Sequence, residues 1–401
     1  MYRIRTYNQI AARGLERFPR QRYELGADLA DPDAMLLRSH KLGEDSVQGC
    51  LRAIARAGAG VNNVPVAHCT RQGVVVFNTP GANANSVKEL VLAALLISSR
   101  NLVGGLDFVS TLAGVADAAE LNALVEAEKK RFKGRELRGK CLGVVGLGAI
   151  GSLVARAALD LGMDVLGYDP SISVDAAWRL PGEVRRMENL ASLFARSDFV
   201  TLHLPLLPET EGVINEEALG SARPGSVLLN FAREPVVDRR SLIRALDDGR
   251  LASYMADFPV PGLIGRPNVR LTPHLGASTS EAEENCAVMA ANQLIDFLET
   301  GNIVNSVNFP TVSLEPSGGH RLAITNRNVA GMLGQMTSVL AKHDINIIDM
   351  LNKSRGDVAY NLLDIEAAPD DALIQELAAI DSVINVRVLN GNAVGRLLGS
   401  L

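Results

Sequence analysis

The stretch GVVGLGAIGSLVA at residues 143–155 restricts the fold of this chain more than any other. It places Gly146, Gly148 and Gly151 in the pattern G-x-G-x-x-G, directly after an apolar run and at the start of a helical one. The first glycine allows a tight turn, the second lets a pyrophosphate approach the backbone, and the third packs the helix against the strand. The pattern therefore predicts a strand–turn–helix unit whose helix N-terminus binds a dinucleotide.

An acidic residue further along the chain indicates which dinucleotide. Asp169 ends the next apolar run after the glycines. Its carboxylate would accept hydrogen bonds from ribose hydroxyls and would repel a 2′-phosphate. The sequence therefore predicts NAD rather than NADP as the cofactor.

Regularly spaced apolar runs predict the fold class. The runs lie at residues 141–146, 164–169, 198–204, 226–231, 252–258 and 269–274. A separation of about 20 to 30 residues between such runs is typical of βαβ units in a buried parallel sheet. We expect an α/β fold with a doubly wound parallel sheet.

The N-terminal part predicts a second region of the same type. Its apolar runs lie at residues 34–39, 53–60 and 74–82. Residues 86–100 predict a long helix that begins with a capping box of Ser86 and Glu89, and this helix would connect the two α/β regions. Residues 115–138, rich in Glu, Lys and Arg, predict an exposed arm that joins a subunit contact.

The C-terminal part predicts a small domain of its own. Residues 308–319 contain Pro, Ser and Gly without periodicity, which indicates a linker. Strand-type and helix-type runs follow in the order βαββαβ, at residues 321–325, 331–343, 345–351, 359–367, 370–380 and 384–389. That order is the ferredoxin-like arrangement.

Composition excludes some classes of function. A chain of 401 residues has room for two or three domains, and a net charge of −5 gives no overall attraction to nucleic acid or to an anionic membrane. The four cysteines have no spacing typical of a zinc site or a disulfide framework, so we interpret them as reduced core thiols and predict no metal site. With no apolar signal segment and no run of roughly 20 apolar residues, we expect a cytoplasmic protein.

Polar residues at the ends of predicted strands indicate a site. Arg233 and His274 should lie at the carboxyl edge of the sheet, where a guanidinium suits a substrate carboxylate and an imidazole suits a general base. A surface ion pair and a structural histidine remain open from local sequence alone. Arg38, Ser39 and Arg56 would hold a phosphate or belong to a solvated surface.

Six ordered motifs make the chain similar to a known family. They are RAGAGVNNV, VVVFNTPGANANSVKEL, GVVGLGAIG, HLPLLPET, NFAREPVVD and LTPHLGAST. They resemble the D-2-hydroxyacid dehydrogenases over nearly the whole chain, which implies two Rossmann-like lobes with a cleft between them. The six motifs are followed by an ACT-like domain at the C-terminus. This combination resembles the family members that oxidise 3-phosphoglycerate to 3-phosphooxypyruvate with NAD in serine biosynthesis. It also implies a homo-oligomer, a dimer or a tetramer.

The resemblance implies a role for individual residues. Arg233 would bind the substrate carboxylate and carbonyl, and His274 would be the acid/base. The positions around the substrate would be Arg38, Ser39, Arg56, Gly58 and Asn83. The cofactor would contact Arg233, His274, Ala59, Gly146, Gly148, Ala149, Ile150, Gly151, Asp169, Leu204, Phe231, Ala232, Asp257, Gly276 and Ala277. Of these, Asp257 would lie near the nicotinamide.

The chain departs from the family beside the histidine. The family usually has a glutamate four or five residues after the aspartate matched by Asp257, and that glutamate pairs with the histidine. Here the positions are Val260, Pro261 and Gly262. Loss of an orienting acid can cost orders of magnitude in rate. Glu234 would be a substitute, or nothing replaces the acid and activity is low or directed to another substrate.

The C-terminal domain resembles ACT modules, which bind amino acids between paired copies. The family's serine-binding turn usually has His-x-Asn, and here it reads Asn326-Arg327-Asn328, with Asn326 in place of the histidine. Asn346 matches a further asparagine, so two of three polar positions persist, and Asn326 could still hydrogen bond to an amino acid such as serine. The alternative is a domain used only for oligomerisation.

We therefore expect three domains. They are a substrate-binding lobe of residues 1–92 and 282–310, an NAD-binding domain of residues 93–281, and an ACT-like regulatory domain of residues 320–401. Two other functions stay open: a different 2-hydroxyacid dehydrogenase or 2-oxoacid reductase on the same scaffold, and a weakly active NAD or amino-acid sensor.

Overall fold

The structure is a computed structural model that describes residues 1–389, except for the side chain of Asp175. Its contacts form two compact units. The first contains Met1–Ala82 and the described residues from Glu283 on, and the second contains Asn83–Ala282. The predicted division into three domains stays a prediction.

The second unit is a doubly wound α/β domain, which confirms the predicted class. Its sheet has seven parallel strands in the order β12-β11-β10-β9-β6-β7-β8. The strands are β6 (Cys141–Val145), β7 (Asp164–Tyr168), β8 (Arg185–Arg186), β9 (Phe199–Leu202), β10 (Ser226–Asn230), β11 (Leu251–Ala256) and β12 (Val269–Leu271). The strand order reverses between β6 and β9, where open α/β sheets bind their ligands.

Eight helices cover this sheet or extend from it. They are α3 (Ala84–Arg100), α4 (Leu102–Thr111), α5 (Ala118–Glu128), α6 (Ala149–Asp160), α7 (Val174–Trp178), α8 (Leu190–Arg196), α9 (Glu216–Gly220) and α10 (Arg239–Asp247). Short 3-10 helices span Lys129–Phe132 and Glu234–Val236. Helix α5, which lies within the predicted arm of residues 115–138, has no buried residue, and neither has α4 before it, whereas Leu137 at the end of the arm is buried.

The first unit contains a five-stranded parallel sheet in the order β2-β1-β3-β4-β5. Its strands are β1 (Tyr2–Thr6), β2 (Tyr23–Gly26), β3 (Ala34–Leu37), β4 (Ala53–Arg56) and β5 (Val75–Phe77). Its helices are α1 (Ala12–Leu15), α2 (Val66–Arg71) and α11 (Ser280–Thr300), with a 3-10 turn at Glu44–Ser46. Strands β1 and β2 and the two-residue strand β8 were not predicted from the sequence.

A four-stranded antiparallel sheet completes the first unit. It has the order β14-β15-β13-β16, and its elements follow the predicted sequence βαββαβ. They are β13 (His320–Arg327), α12 (Met332–Lys342), β14 (Ile347–Arg355), β15 (Val358–Ile365), α13 (Asp371–Ala378) and β16 (Val383–Leu389).

The C-terminal sheet shares a hydrophobic core with the rest of the first unit. The ring of Phe309 meets that of Tyr360 edge-on at 6.2 Å, and both side chains are buried. The interpretation of residues 308–319 as a linker is therefore wrong in part. Phe309 and Val312 are fully buried, and Val312 bridges to Ile303, because these apolar side chains join the core.

The predicted capping box of the long helix is wrong. Helix α3 begins at Ala84, two residues before Ser86, and has no side-chain cap. The Ser86 hydroxyl donates instead to the carbonyl of Gly276 at 2.8 Å. The same hydroxyl therefore anchors a distant loop.

Other expectations concern thiols and membrane helices. All four cysteines are free thiols; Cys69 and Cys286 are buried, Cys141 is half-buried, and Cys50 is exposed rather than in the core. In the described part of the chain, no single helix is long and apolar enough to cross a membrane. Among the described residues, one pair of helices, α3 and α4, is long and apolar enough when taken together, but the two are bent by 65° at their junction.

A buried ion pair secures the C-terminal sheet. Arg321 contacts Asp364 with two hydrogen bonds, of 2.6 and 2.8 Å, and the side chains are only 5% and 3% exposed. Burial raises the pKa of Asp364, but hydrogen bonds from Arg321 and Ser317 outweigh this, so the pKa lies below its usual value. The carboxylate stays ionised and paired.

Arg321→Met should therefore destabilise the first unit by about 3–5 kcal/mol, because it leaves the buried Asp364 carboxylate without a cation and with only the hydrogen bonds of Ser317. Urea denaturation followed by circular dichroism measures this. Arg13→Met is the control, since it removes an exposed pair with Glu284 worth at most about 1 kcal/mol. If both variants lowered the free energy of unfolding equally, the pair of Arg321 and Asp364 would not stabilise the protein more than an exposed pair does. The contribution of the pair should fall as the pH drops below about 4, towards the lowered pKa of folded Asp364.

Candidate active site

The three glycines of the turn after β6 have different surroundings. Gly146 has φ +88°, and a Cβ there would lie 2.7 Å from the carbonyl oxygen of His203. A Cβ on Gly151 would lie 1.9 Å from the oxygen of Gly146. A Cβ on Gly148 would meet nothing within 4 Å. The first and third glycines thus permit close packing, and the second faces open space that a pyrophosphate can enter.

The helix after this turn is suited to bind an anion. Helix α6 begins at Ala149, with Gly148 as its N-cap and without a side-chain cap. The first N–H groups of a helix have no intrahelical partner, and the helix dipole favours negative charge there. The backbone of Ala149, Ile150 and Gly151 therefore fits the phosphates of a dinucleotide.

Asp169 lies directly after β7 and connects to the same turn. One carboxylate oxygen accepts from the N–H of Leu147 at 2.8 Å, and the other accepts from Ser171 at 3.0 Å. Each oxygen keeps a lone pair that ribose hydroxyls can use. Asp169 thus fixes the glycine turn and can still recognise the ribose, so these residues fit NAD.

Other predicted cofactor positions surround the turn. The side chain of Leu204 lies beside Gly146, with its Cδ2 3.1 Å from where a Cβ of that glycine would be. Phe231 and Ala232 follow β10 and are buried. They can therefore contact a cofactor mainly through their backbone.

Arg233 lies at the carboxyl edge of the same sheet, after β10. Its side chain is exposed and, among residues 1–389, makes no ion pair; Nη1 donates to the carbonyl of Ala232 at 2.7 Å. Buried Asn230 holds this loop, accepting from the N–H of Ala232 and donating to the carbonyl of Arg233, both at 3.1 Å. The guanidinium is therefore available to an anion.

His274 follows β12 and has a φ of +62°, in the left-handed region that is unusual for a residue other than glycine. Buried Asp257 holds the turn that contains it. Its carboxylate accepts from the N–H groups of Leu275 and Gly276 and from the hydroxyl of Thr272, each at 2.7 Å. The imidazole itself is exposed. Asp257 therefore orients His274 through the backbone, a contact that the sequence analysis did not predict.

The structure shows no carboxylate beside His274. Within residues 1–389, no acidic side chain lies at salt-bridge distance from its ring. Val260, in place of the family's acid, is only 2% exposed and belongs to the core. Glu234 pairs with Arg239 instead. Neither position supplies a partner for the imidazole.

His203 is a second histidine near the glycine turn, but it is unsuited to proton transfer. Burial lowers its pKa to about 3, so the ring stays neutral at physiological pH. Its Nε2 lies 3.0 Å from the Thr201 hydroxyl. His274 is therefore the better candidate for the base.

The first unit brings two predicted arginines together. Leu37 of β3 pairs with Arg56 of β4, so Arg38 and Arg56 leave adjacent strands at the same edge. Nε of Arg56 donates to the carbonyl of Arg38 at 3.0 Å, and Asn63 donates to the same oxygen at 3.1 Å. A Cβ on Gly58, which has φ +148°, would lie 1.6 Å from Nη1 of Arg56. The positive φ favours glycine at this position, and the absent Cβ leaves room for the guanidinium of Arg56.

The remaining predicted substrate and cofactor positions belong to both units. Ser39 and Ala59 are exposed, and the carbonyl of Ala59 accepts from Asn78 at 2.6 Å. Asn83 belongs to the second unit and immediately precedes α3. Gly276 and Ala277 follow His274, and only the glycine is buried.

The three predicted effector residues differ in availability. Asn326 is 1% exposed; its amide oxygen accepts from Asn361 at 2.8 Å and its nitrogen donates to the carbonyl of Arg327. Asn328 donates to the carbonyl of Gly356 at 3.0 Å. Asn346 is exposed. The amide of Asn326 is thus engaged inside the sheet.

Comparison with known proteins agrees with this geometry. Residues 108–276 match the model of the D-isomer specific 2-hydroxyacid dehydrogenase NAD binding domain. The chain is 34% identical to D-3-phosphoglycerate dehydrogenase of Haemophilus influenzae, over 82% of this chain and 79% of that protein. It is 33% identical to the Escherichia coli protein of the same name, over 91% of this chain and 89% of that one. The chain belongs to the D-isomer-specific 2-hydroxyacid dehydrogenases.

A solved structure in this family supports the cofactor. It is the NAD+-bound 3-phosphoglycerate dehydrogenase of Entamoeba histolytica, with a TM-score of 0.60 and 26% identity. The match covers 77% of this chain and 98% of that one. The predictions of the family and of NAD are confirmed.

Asp257→Asn should lower kcat of this dehydrogenase by about 10- to 100-fold, because the amide replaces an acceptor by a donor in the His274 turn. The affinity for NADH, followed through energy transfer from the single tryptophan, Trp178, should change less than about threefold. Asp238→Asn is the control, since Asp238 accepts from Ser241 at the start of α10. A variant with full kcat would show that Asp257 does not orient the base.

Glu234→Gln should leave the pH dependence of kcat/KM unchanged, because the Glu234 carboxylate pairs with Arg239. Steady-state rates across the pH range measure this, with Arg239→Gln as the matched change on the other side of the pair. If only Glu234→Gln displaced the limb of the profile that belongs to the base, Glu234 would be the missing partner of His274.

Proposed function

We propose that this dehydrogenase oxidises D-3-phosphoglycerate to 3-phosphooxypyruvate with NAD+, the first step of L-serine biosynthesis. The observation that carries the proposal is the pair Arg38 and Arg56 at one edge of the first sheet. A 2-hydroxy acid needs one cation for its carboxylate, and Arg233 supplies it. Two further arginines suit a second, strongly anionic group, and the phosphate of 3-phosphoglycerate is such a group.

The reaction assigns a task to each residue. Arg233 fixes the substrate carboxylate and polarises the oxygen on C2. His274 accepts the hydroxyl proton while the C2–H bond breaks, and NAD+, when bound, accepts the hydride from C2. The products are the 2-oxo acid, NADH and protonated His274, so charge and protons balance. Ser39, Gly58 and Asn83 complete the substrate positions in this proposal.

The C-terminal sheet is proposed to be an ACT-like regulatory domain. Its βαββαβ order and antiparallel strands support this. An amino acid such as serine would bind through Asn328 and Asn346, with Asn326 supporting the turn from inside the sheet. A homo-oligomer is supported by α4, which precedes the predicted arm and exposes Leu106 and Val109 by 69% and 59%. A cytoplasmic location is part of the same proposal.

An assay of NADH formation tests the function. Purified protein should oxidise 3-phosphoglycerate with a higher kcat/KM than glycerate, lactate or 2-hydroxyglutarate. Arg38→Gln and Arg56→Gln should raise KM for 3-phosphoglycerate by about tenfold or more and leave KM for glycerate nearly unchanged, because glycerate lacks the phosphate. His274→Asn should lower kcat by about 100-fold or more on both substrates.

Other outcomes identify the alternatives. A preference for an unphosphorylated acid would assign the chain to another dehydrogenase of the family. Binding of NADH without turnover of any of these acids would favour the sensor. An arginine variant with unchanged selectivity would remove the phosphate site from the proposal.

A further inference from the structure

The last turn of helix α11 is capped by the C-terminal sheet. The final carbonyl groups of a helix have no intrahelical partners and need donors from elsewhere. Arg321 of β13, Tyr360 of β15 and Arg387 of β16 supply donors over distances between 2.8 and 3.3 Å, and Tyr2 of β1 also donates to the carbonyl of Leu298 at 2.8 Å. The accepting carbonyls belong to Phe297, Leu298, Thr300 and Gly301. Two of these donors are cations, which also complement the negative end of the helix dipole.

The capping contacts leave little freedom of movement. Arg321 and Tyr360 are 4% and 1% exposed. Burial raises the pKa of Tyr360 to about 12, so its hydroxyl remains a donor. Gly301 has φ +78°, and a Cβ there would lie 2.7 Å from Leu389. The helix end and the sheet are therefore in close, buried contact.

The other end of the same helix contacts a substrate residue. Glu283 pairs with Arg38 at 2.7 Å, and both side chains are partly exposed. The next residue, Glu284, pairs with Arg13 at 3.2 Å on the surface. The backbone carbonyl of Arg38 accepts a hydrogen bond from Arg56. Within residues 1–389, the guanidinium of Arg38 has no ion-pair partner besides Glu283. An arginine side chain has about 2 kcal/mol of rotamer entropy, and the ion pair with Glu283 restricts part of this freedom.

We propose that the C-terminal sheet positions Arg38 through helix α11, with Glu283 as the positioning residue. The inference rests on the proposed function, which assigns Arg38 to the substrate phosphate. Helix α11 spans on the order of 30 Å and is continuous from Ser280 to Thr300, so it joins the capped end to Glu283. In this proposal a change at the capped end shifts Glu283, and with it the guanidinium that receives the anion.

Variants at the near end test the positioning residue. Glu283→Ala should raise KM for 3-phosphoglycerate about five- to tenfold, because Arg38 becomes mobile. Glu283→Gln, which can still accept from Arg38, should recover most of this loss. KM for NAD+ and kcat should stay within about twofold in both. Glu284→Ala is the matched control and should leave all three constants unchanged.

The sign of the effect separates two roles of Glu283. If Glu283 only neutralised the charge of Arg38, Glu283→Ala and Glu283→Gln would both bind the anion more tightly, because each removes a carboxylate that repels it. Tighter binding, or an unchanged KM in Glu283→Ala, would overturn the proposal.

A double-mutant cycle tests the route from the far end. Tyr360→Phe removes one hydroxyl at the helix end and should raise KM for 3-phosphoglycerate about two- to threefold. In the Glu283→Ala background it should have no further effect, because the two residues act in series. Asn385→Ala is the control, since Asn385 contacts the carbonyl of Gly73 and not α11. Effects that multiply would show that Tyr360 does not act through Glu283.

Binding of inorganic phosphate separates this inference from the proposed function. The dissociation constant, from the shift of Tm with phosphate, should follow the same order as KM: wild type, then Glu283→Gln, then Glu283→Ala. If the wild type binds phosphate but does not oxidise 3-phosphoglycerate, the proposed function fails. The phosphate affinities of the variants then still show whether Glu283 positions Arg38. If turnover occurs and phosphate affinity does not change between the variants, the inference fails alone.

Discussion

Polar side chains at the carboxyl ends of parallel strands hold the glycine turn and the loops of Arg233 and His274, on which the proposed chemistry depends. Backbone N–H groups that leave a sheet edge must find acceptors when they are buried. Asp169 supplies one to the glycine turn, Asn230 holds the loop of Arg233, and Asp257 holds the turn of His274. Each of these residues lies at the end of a strand and bonds to a loop beyond it. The sheet thereby sets the positions of groups whose own side chains are exposed.

Much of this could be predicted from the sequence, because the signals are local. The glycine spacing, the apolar runs and the acid after β7 fixed the cofactor turn to within one or two residues, and the βαββαβ order of the C-terminal part was found as predicted. The resemblance then assigned Arg233 and His274. The partners of these residues could not be predicted, because Asp257 and the His274 turn are joined only by folding, and no spacing rule connects them.

The other errors have the same origin. Residues 308–319 have the composition of a linker, yet Phe309 and Val312 are buried because a shared core recruits them. Ser86 has the spacing of a capping box, yet its hydroxyl bonds to Gly276, 190 residues away. In each case a long-range contact overrides a local preference that was correctly recognised.

The missing acid beside His274 changes how this member of the family is organised. Val260 points into the core, so a carboxylate there would be a buried charge without a partner, and the position cannot serve the imidazole in this backbone. A φ of +62° at His274 costs on the order of 1–3 kcal/mol, and three hydrogen bonds to the Asp257 carboxylate offset it. Orientation therefore comes from the backbone side of the residue. Among residues 1–389 no acidic side chain forms an ion pair with the imidazole, so Asp257 holds the turn of His274 without pairing with its ring.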